Sequence, residues 1–545
     1  MLRGKPTYAV LKGIFLLLAF ALLLNLPYIH LREFQGEEGR RVIIAQHMLE
    51  TGEWIVPYFE GKVYLNKPPL FNWALAVMFK LTGVISEASA RMVSVIAAFL
   101  CAISLSLFWK KVAGLQTAWF ILPGLLFLTF SDVMDKTIRA EIDMTFTFFV
   151  TIAVVFWFYY FEMKKNDFAA WLVALGLISL STLTKGVQAP AFFYCGIIPY
   201  LFYKKQIQKL YSFSHVAGLG IFLFIFALWF VPLAGRVNVT DLFHTWFHEI
   251  FARQEPLREG GFLRHLIEFP FYYVLAYLPW IPLLLLWYRQ PLEKEHAILK
   301  NLALYCLFFL AFSLPFYWIL PGARLRYVMP LSGALAILIT IPVQALMSGA
   351  IEYGNVARRF FQAAGAVITL FVISSPFWAP KFDVFGNPVS VVILILLLVL
   401  SLFLVQPKTG LLNRFCLLFI VTLLAKVCWA SFYFPYHAQH LSYYRSAANQ
   451  INQLVPHNAL LYDFKVNNGH LAFYLERPVI VIESLENPSM EDGSFVFMEK
   501  KKVQGTVPEG FSFVGSVKAR RVTLFLYTFD RDVSRRTRDG MFRGS

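Results

Sequence analysis

The sequence predicts a polytopic α-helical membrane protein carrying a small soluble α/β domain at its C-terminal end. Three observations predict it. Of 545 residues, 58% are hydrophobic and only 15% are charged, where a soluble domain carries roughly 25% charged residues. The mean hydropathy is +0.59. Apolar runs of about 20 residues, the length a helix needs to cross the hydrocarbon, recur as far as about residue 434 and then stop. Fibrous, disordered and disulfide-rich classes are excluded by the same composition. The net charge of +16 points to cytoplasmic loops and anionic lipid, not to nucleic acid. Cys101, Cys195, Cys306, Cys416 and Cys428 lie inside apolar runs without paired or metal-ligand spacing, so they read as core hydrophobes.

About thirteen spans follow in order: 8–28, 91–109, 113–131, 142–162, 168–184, 186–203, 215–234, 271–288, 301–320, 327–346, 361–379, 389–405 and 414–434. The first follows basic residues but no small-x-small cleavage pattern, so it reads as an uncleaved span. With the N-terminus inside, every second loop carries Lys and Arg: Lys110/Lys111, Lys164/Lys165, Lys204/Lys205/Lys209, Arg289/Lys294/Lys300, Arg358/Arg359 and Lys408/Arg414. That is the positive-inside pattern, and an odd span count puts the C-terminus outside.

Three segments then lie on the outer face. The first, about 29–90, contains GEEGRRVIIAQHMLETGEW, whose Ile43, Ile44 and Met48 recur at helical spacing and predict an interfacial helix. The second is about 235–270. The third is 435–545, a soluble domain beyond the transmembrane domain of 1–434. Its runs Leu460–Lys465, Val479–Glu483, Ser494–Met498 and Val522–Thr528 read as strands, and Leu441–Leu454 as a helix. The stretch RDVSRRTRDGMFRGS reads as frayed.

Charged residues on the outer face need a reason, because the positive-inside rule does not supply one. Glu37 and Arg40 share a helix face. Lys67 is held at the membrane surface by Pro68 and Pro69. Asp143 stands at the start of the fourth span, four residues after Arg139, which could simply neutralise it. An acid there marks a functional site by default. Lys185 is a lone cation between two apolar runs. Arg253 and Arg258 lie near His244, His248 and Glu249, and Arg324 and Arg326 follow Pro321-Gly322. Such a set suits a lipid-linked phosphate: Arg and Lys hold the phosphate and stabilise charge on it as it leaves. A carboxylate takes the proton of an incoming hydroxyl. There is no nucleotide-binding loop. A transporter would instead place charges at mid-membrane on broken helices in repeated halves, and no repeat is present.

Glu37…Arg40, Lys67-Pro68-Pro69, Arg139…Asp143, Thr184-Lys185-Gly186, PGARLRYVMP of Pro321–Pro330 and Phe473-Tyr474-Leu475-Glu476-Arg477-Pro478 together resemble bacterial ArnT-like glycosyltransferases. These are the lipid A aminoarabinose transferases and their relatives in the protein O-mannosyltransferase superfamily, with the GT-C fold. The resemblance implies an undecaprenyl-phosphate-linked sugar donor and an envelope glycolipid acceptor, lipid A or similar. It implies inverting transfer at the periplasmic face of the bacterial inner membrane, with the C-terminal domain on that side. Transfer to Ser/Thr of envelope proteins is the alternative within the same chemistry. By the resemblance Glu37 and Asp143 are catalytic. Arg40, Lys67, Arg139, Lys185, Arg253, Arg324, Arg326 and Tyr327 bind the donor phosphate or orient the acids. Two departures stand out: Asn66 and Ile250 occupy positions that hold metal ligands in the relative. That argues against a bound divalent metal, with His248 and Glu249 as the remaining candidate ligands.

Overall fold

The computed structural model describes residues 6–114, 118–251, 261–289, 297–320, 322–349, 354–406, 409–464, 466, 469–482, 484–485, 490–499, 510–520 and 522–530. The stretch 531–545 and the side chain of Arg253 lie outside them, as do the side chains of His248 and Glu249.

Helix α1 (Pro6–Asn25) leads to α2 (Glu38–Thr51), a short hairpin of β1 (Tyr58–Phe59) and β2 (Lys62–Val63), α3 (Leu70–Thr82) and α4 (Glu87–Ala113). Next come α5 (Leu122–Leu128), α6 (Ser131–Thr137), α7 (Ile142–Phe158), α8 (Asp167–Lys185), α9 (Gln188–Tyr203), α10 (Phe213–Ala234), α11 (Val239–Phe251) and α12 (Gly261–Ala276). The last membrane helices are α13 (Ala297–Ile319), α14 (Ser332–Met347), α15 (Asn355–Ile373), the single turn α16 (Ser375–Trp378), α17 (Pro388–Val405) and α18 (Leu411–His440).

Ten helices are long and apolar enough to cross a membrane among the described residues, and eleven if a pair bent by 88° at residues 277–280 counts as one span. The predicted spans at 113–131 and 186–203 are shorter in the structure. The first is broken into a 3-10 turn, α5 and α6; the second is the 16-residue α9. Gly114, Pro123 and the polar Ser131-Asp132 interrupt the first run. Pro279 and Pro282 stand where the bent pair breaks, since proline cannot donate to the helix ladder. Lipid-facing surfaces are apolar: α10 exposes Leu223, Phe224, Leu228 and Val231. This is a multi-pass membrane protein.

The core runs between α7, α8, α9 and α13, where Trp157 packs among Trp171, Tyr200 and Tyr305. At the Lys-rich end of these helices Glu162 accepts from Tyr200 Oη at 2.5 Å and pairs with Lys165 at 3.0 Å and Lys204 at 3.1 Å. The opposite end carries the polar cluster described below.

The helix predicted to lie at the interface is α2, and it is covered by protein. Val42, Ile44, Ala45 and Met48 are fully buried against neighbours that include α3 and the C-terminal α20 (Gly469–Leu475). Beyond α18 comes α19 (Tyr443–Leu454), then β3 (Leu461–Phe464), α20, β4 (Val479–Ile482), β5 (Phe495–Glu499), β6 (Phe511–Ala519) and β7 (Val522–Phe529). The strand order is β4-β3-β5-β7-β6. β3 pairs parallel with β4 and β5, and β7 pairs antiparallel with β5 and β6. All four residues of the interior strand β3 are buried, as a strand covered on both faces requires. Four predicted strands and the helix coincide with observed elements. β6 was not predicted, because FSFVGSVKA reads as an interrupted run around Gly515.

Candidate active site

The polar cluster forms where the N-terminus of α7, the C-terminus of α8 and the segment entering α14 meet. Asp143, in the first turn of α7, is 3% exposed. Its Oδ1 accepts from Lys185 Nζ at 2.7 Å. Arg326 Nη1 lies 4.0 Å from its Oδ2. Lys185 ends α8, whose C-terminal carbonyls favour a cation. Its ammonium also faces the rings of Phe146 at 5.0 Å and Tyr327 at 5.1 Å, which stabilise it where water is scarce. So two residues far apart in sequence, each singled out as an isolated charge, form one buried pair.

Glu141, just before α7, is the acid that sequence reasoning passed over. It is 3% exposed and accepts from Lys136 at 2.6 Å and from Arg326 at 3.4 Å. Arg326 thus bridges Glu141 and Asp143. Lys136 was equally missed. The available signal was spacing: Lys136, Glu141 and Asp143 flank one helix start, where side chains from either side of the cap turn together.

Arg139 does not neutralise Asp143. Its guanidinium forks onto Asp135 through Nε at 3.1 Å and Nη2 at 2.9 Å. The α6 end and the following turn separate Arg139 from α7, so the four-residue helical spacing does not apply. Lys136, Arg326, Asp132 and Asp135 line a cavity of about 360 Å³ whose apolar wall is Tyr272, Leu275 and Ala276 of α12 and Leu325. Arg324, one residue before Leu325, is exposed.

Glu37 immediately precedes α2, and its side chain makes no capping hydrogen bond to the helix. Its Oε2 accepts from Arg40 at 3.0 Å and lies 3.9 Å from Arg41, and the side chain is 38% exposed. Glu38, one residue on, points inward. It is fully buried, accepts from Arg91 Nε at 2.8 Å and Nη2 at 3.1 Å, and takes the Ala140 backbone N–H at 2.9 Å. Burial pushes its pKa up, but Arg91 and Arg32 outweigh that and hold it at about 2. Consecutive residues on a helix point about 100° apart, so one carboxylate is structural and the other faces out. The Glu37 loop meets the α7 cluster at Gly36: a Cβ there would lie 2.6 Å from Glu141 Oε1. Lys67 is half-buried just ahead of α3. Arg40 also lines a cavity of about 240 Å³ with Glu60, Lys62 and Asn66.

A family model described as dolichyl-phosphate-mannose-protein mannosyltransferase matches residues 66–230. The chain is 26% identical to an uncharacterized protein of Aquifex aeolicus over 80% of its own length and 81% of that relative. It is 28% identical to undecaprenyl phosphate-alpha-4-amino-4-deoxy-L-arabinose arabinosyl transferase 1 of Pseudomonas fluorescens, over 59% of this chain and 58% of that one. The crystal structure of ArnT from Cupriavidus metallidurans bound to undecaprenyl phosphate superposes with a TM-score of 0.69 at 18% identity, covering 94% of this chain and 97% of that one. The chain therefore shares the fold of that ArnT structure, the GT-C membrane fold. Among the described residues no three His, Cys, Asp or Glu side chains gather as metal ligands would, and the cavity beside Asn66 sets the cations Arg40 and Lys62 against the single carboxylate of Glu60.

Proposed function

We propose that this ArnT-like chain is a glycosyltransferase that moves a sugar from a polyprenyl phosphate of the undecaprenyl type to a lipid A-like glycolipid, on the periplasmic face of the inner membrane. The observation that carries the reading is the joining of Asp143, Lys185, Glu141, Lys136 and Arg326 into one network beside a cavity. Lys136 and Arg326 face that cavity, where they would receive the donor phosphate. The acceptor hydroxyl attacks the anomeric carbon opposite the phosphate. The new C–O bond forms as the bond to the phosphate oxygen breaks, and the configuration inverts. The cations stabilise the phosphate as it departs. Glu37, the more accessible of the two acids, takes the hydroxyl proton. Asp143 holds Lys185 and Arg326 in place. Arg40 and Lys67 serve the same site from the first outer loop, and Tyr327 supports Lys185. The relatives named as arabinosyl transferases support this donor class, while the name of the family matching 66–230 keeps a protein hydroxyl as the second acceptor.

The test is transfer in membranes from a labelled polyprenyl-phosphate sugar. Glu37→Gln and Asp143→Asn should each lower the rate about 100-fold or more, the usual worth of a positioned base. Undiminished transfer in both would remove these roles. Mass spectrometry of lipid A and of envelope proteins after gene deletion separates the two acceptors.

A further inference from the structure

The segment 33–38 that carries Glu37 hangs between α1 and α2 and is held largely from the C-terminal domain. The Phe34 N–H donates to Tyr474 Oη at 2.8 Å. The Glu33 carboxylate accepts the backbone N–H groups of Tyr443, Tyr444 and Arg445 at 3.0–3.3 Å, which caps α19. Closest to Glu37, the carbonyl of Gly36 lies 3.1 Å from His470 Nε2. A carbonyl only accepts, so this nitrogen carries the proton. Burial holds the His470 pKa below its ordinary value, which favours the neutral ring at pH 7.

The imidazole is placed there by backbone-to-backbone packing. A Cβ on Gly39 of α2 would come within 2.6 Å of His470 Nδ1 and 2.9 Å of its backbone nitrogen. A Cβ on Gly469 would lie 3.1 Å from the Arg40 nitrogen and 2.9 Å from the Phe59 ring. Two glycines at one crossing let α20 sit directly on the first turn of α2. On its other side Gly36 abuts Glu141. The residue before Glu37 is therefore pinched between the α7 cluster and a ring from a different domain.

We propose that His470 is a positioning residue for Glu37: the C-terminal domain completes the active site by fixing the Gly36 carbonyl. This rests on the reading of Glu37 as the reacting base. An acid displaced by about 1 Å loses on the order of 100-fold in rate, so a loop anchor of this kind acts on turnover and leaves donor affinity alone.

The experiment uses the full chain in lipid nanodiscs. His470→Ala should lower kcat about 10- to 100-fold with the donor KM within about twofold and the melting temperature close to the parent's. His470→Gln, whose carboxamide N–H can still reach the carbonyl, should recover most of the loss. Hydrogen exchange at the amides of residues 36–38 should quicken in His470→Ala. An unchanged kcat in His470→Ala, or a His470→Gln as poor as the alanine variant, overturns the assignment. If the parent transfers no sugar from any polyprenyl phosphate, the proposed function falls. The exchange rates then decide alone, and exchange no faster than the parent's removes His470 as an anchor.

Discussion

Arg91→Met leaves the Glu38 carboxylate buried with its main partner gone. Arg91 supplies two charge-assisted hydrogen bonds, at 2.8 and 3.1 Å; what remains is Arg32 at 3.8 Å and the backbone N–H groups of Ala140 and Gln35, each at 2.9 Å. Both members of the pair are at most 1% exposed. Breaking such a pair by deleting one partner costs about 3–5 kcal/mol. The titration of Glu38 gives a second figure. Its pKa falls from 4.5 to about 2, and each tenfold change in acidity is worth about 1.36 kcal/mol, so the carboxylate contributes roughly 3 kcal/mol. A depressed acid lends this stability above its unfolded pKa and loses it as pH falls. The melting temperature of the parent in nanodiscs should therefore fall as pH drops from about 4.5 toward 2. Arg91→Met should melt several degrees lower at pH 7, and Glu38→Gln combined with Arg91→Met should recover most of that. An Arg91→Met protein as stable as the parent at pH 7, or a double variant no better than the single, would refute the reasoning.

Glu60 shifts the opposite way. Burial first, and Asp463 second, push its pKa up to about 7 against the pull of Arg40 and Lys62. The stability it lends is full below about pH 4.5 and lost as pH rises through 7. Glu60→Gln should therefore raise the melting temperature at pH 8 and not at pH 4.5. Gly39→Ala places a methyl 2.6 Å from the His470 ring, so limited proteolysis should release the C-terminal domain faster than from the parent. Lys185→Met strands the Asp143 carboxylate behind a 2.7 Å ion pair; transfer should drop at least 100-fold, and Lys185→Arg should restore only part of it.

Periodicity and punctuation carried the span order, the soluble domain and most of its strands, because lipid thickness and sheet alternation write themselves into local sequence. The runs at 113–131 and 186–203 read as full spans, and their shortness in α5–α6 and α9 was not legible, because a helix packed against protein can be short. Asp143 and Lys185 were legible as charges in costly places, but their pairing was not, since 42 residues separate them. Glu141 and Lys136 looked like ordinary neighbours of a helix start. The bland alternative for Asp143, neutralisation by Arg139, does not hold, because helical spacing does not run across the turn between them and Arg139 pairs with Asp135 instead. Nothing local distinguishes Glu37 from Glu38; only the reach of Arg91 from α4 to Glu38 does.

That adjacent pair makes the chain count its residues. Deleting or inserting one position between 33 and 37 would rotate the wrong carboxylate toward Arg91 and send the other into the open. The tip of the β1–β2 hairpin at Gly61, where an added Cβ meets nothing within 4 Å, imposes no such tally. Variation in length should be silent there and lethal between 33 and 37, however conservative the chemistry.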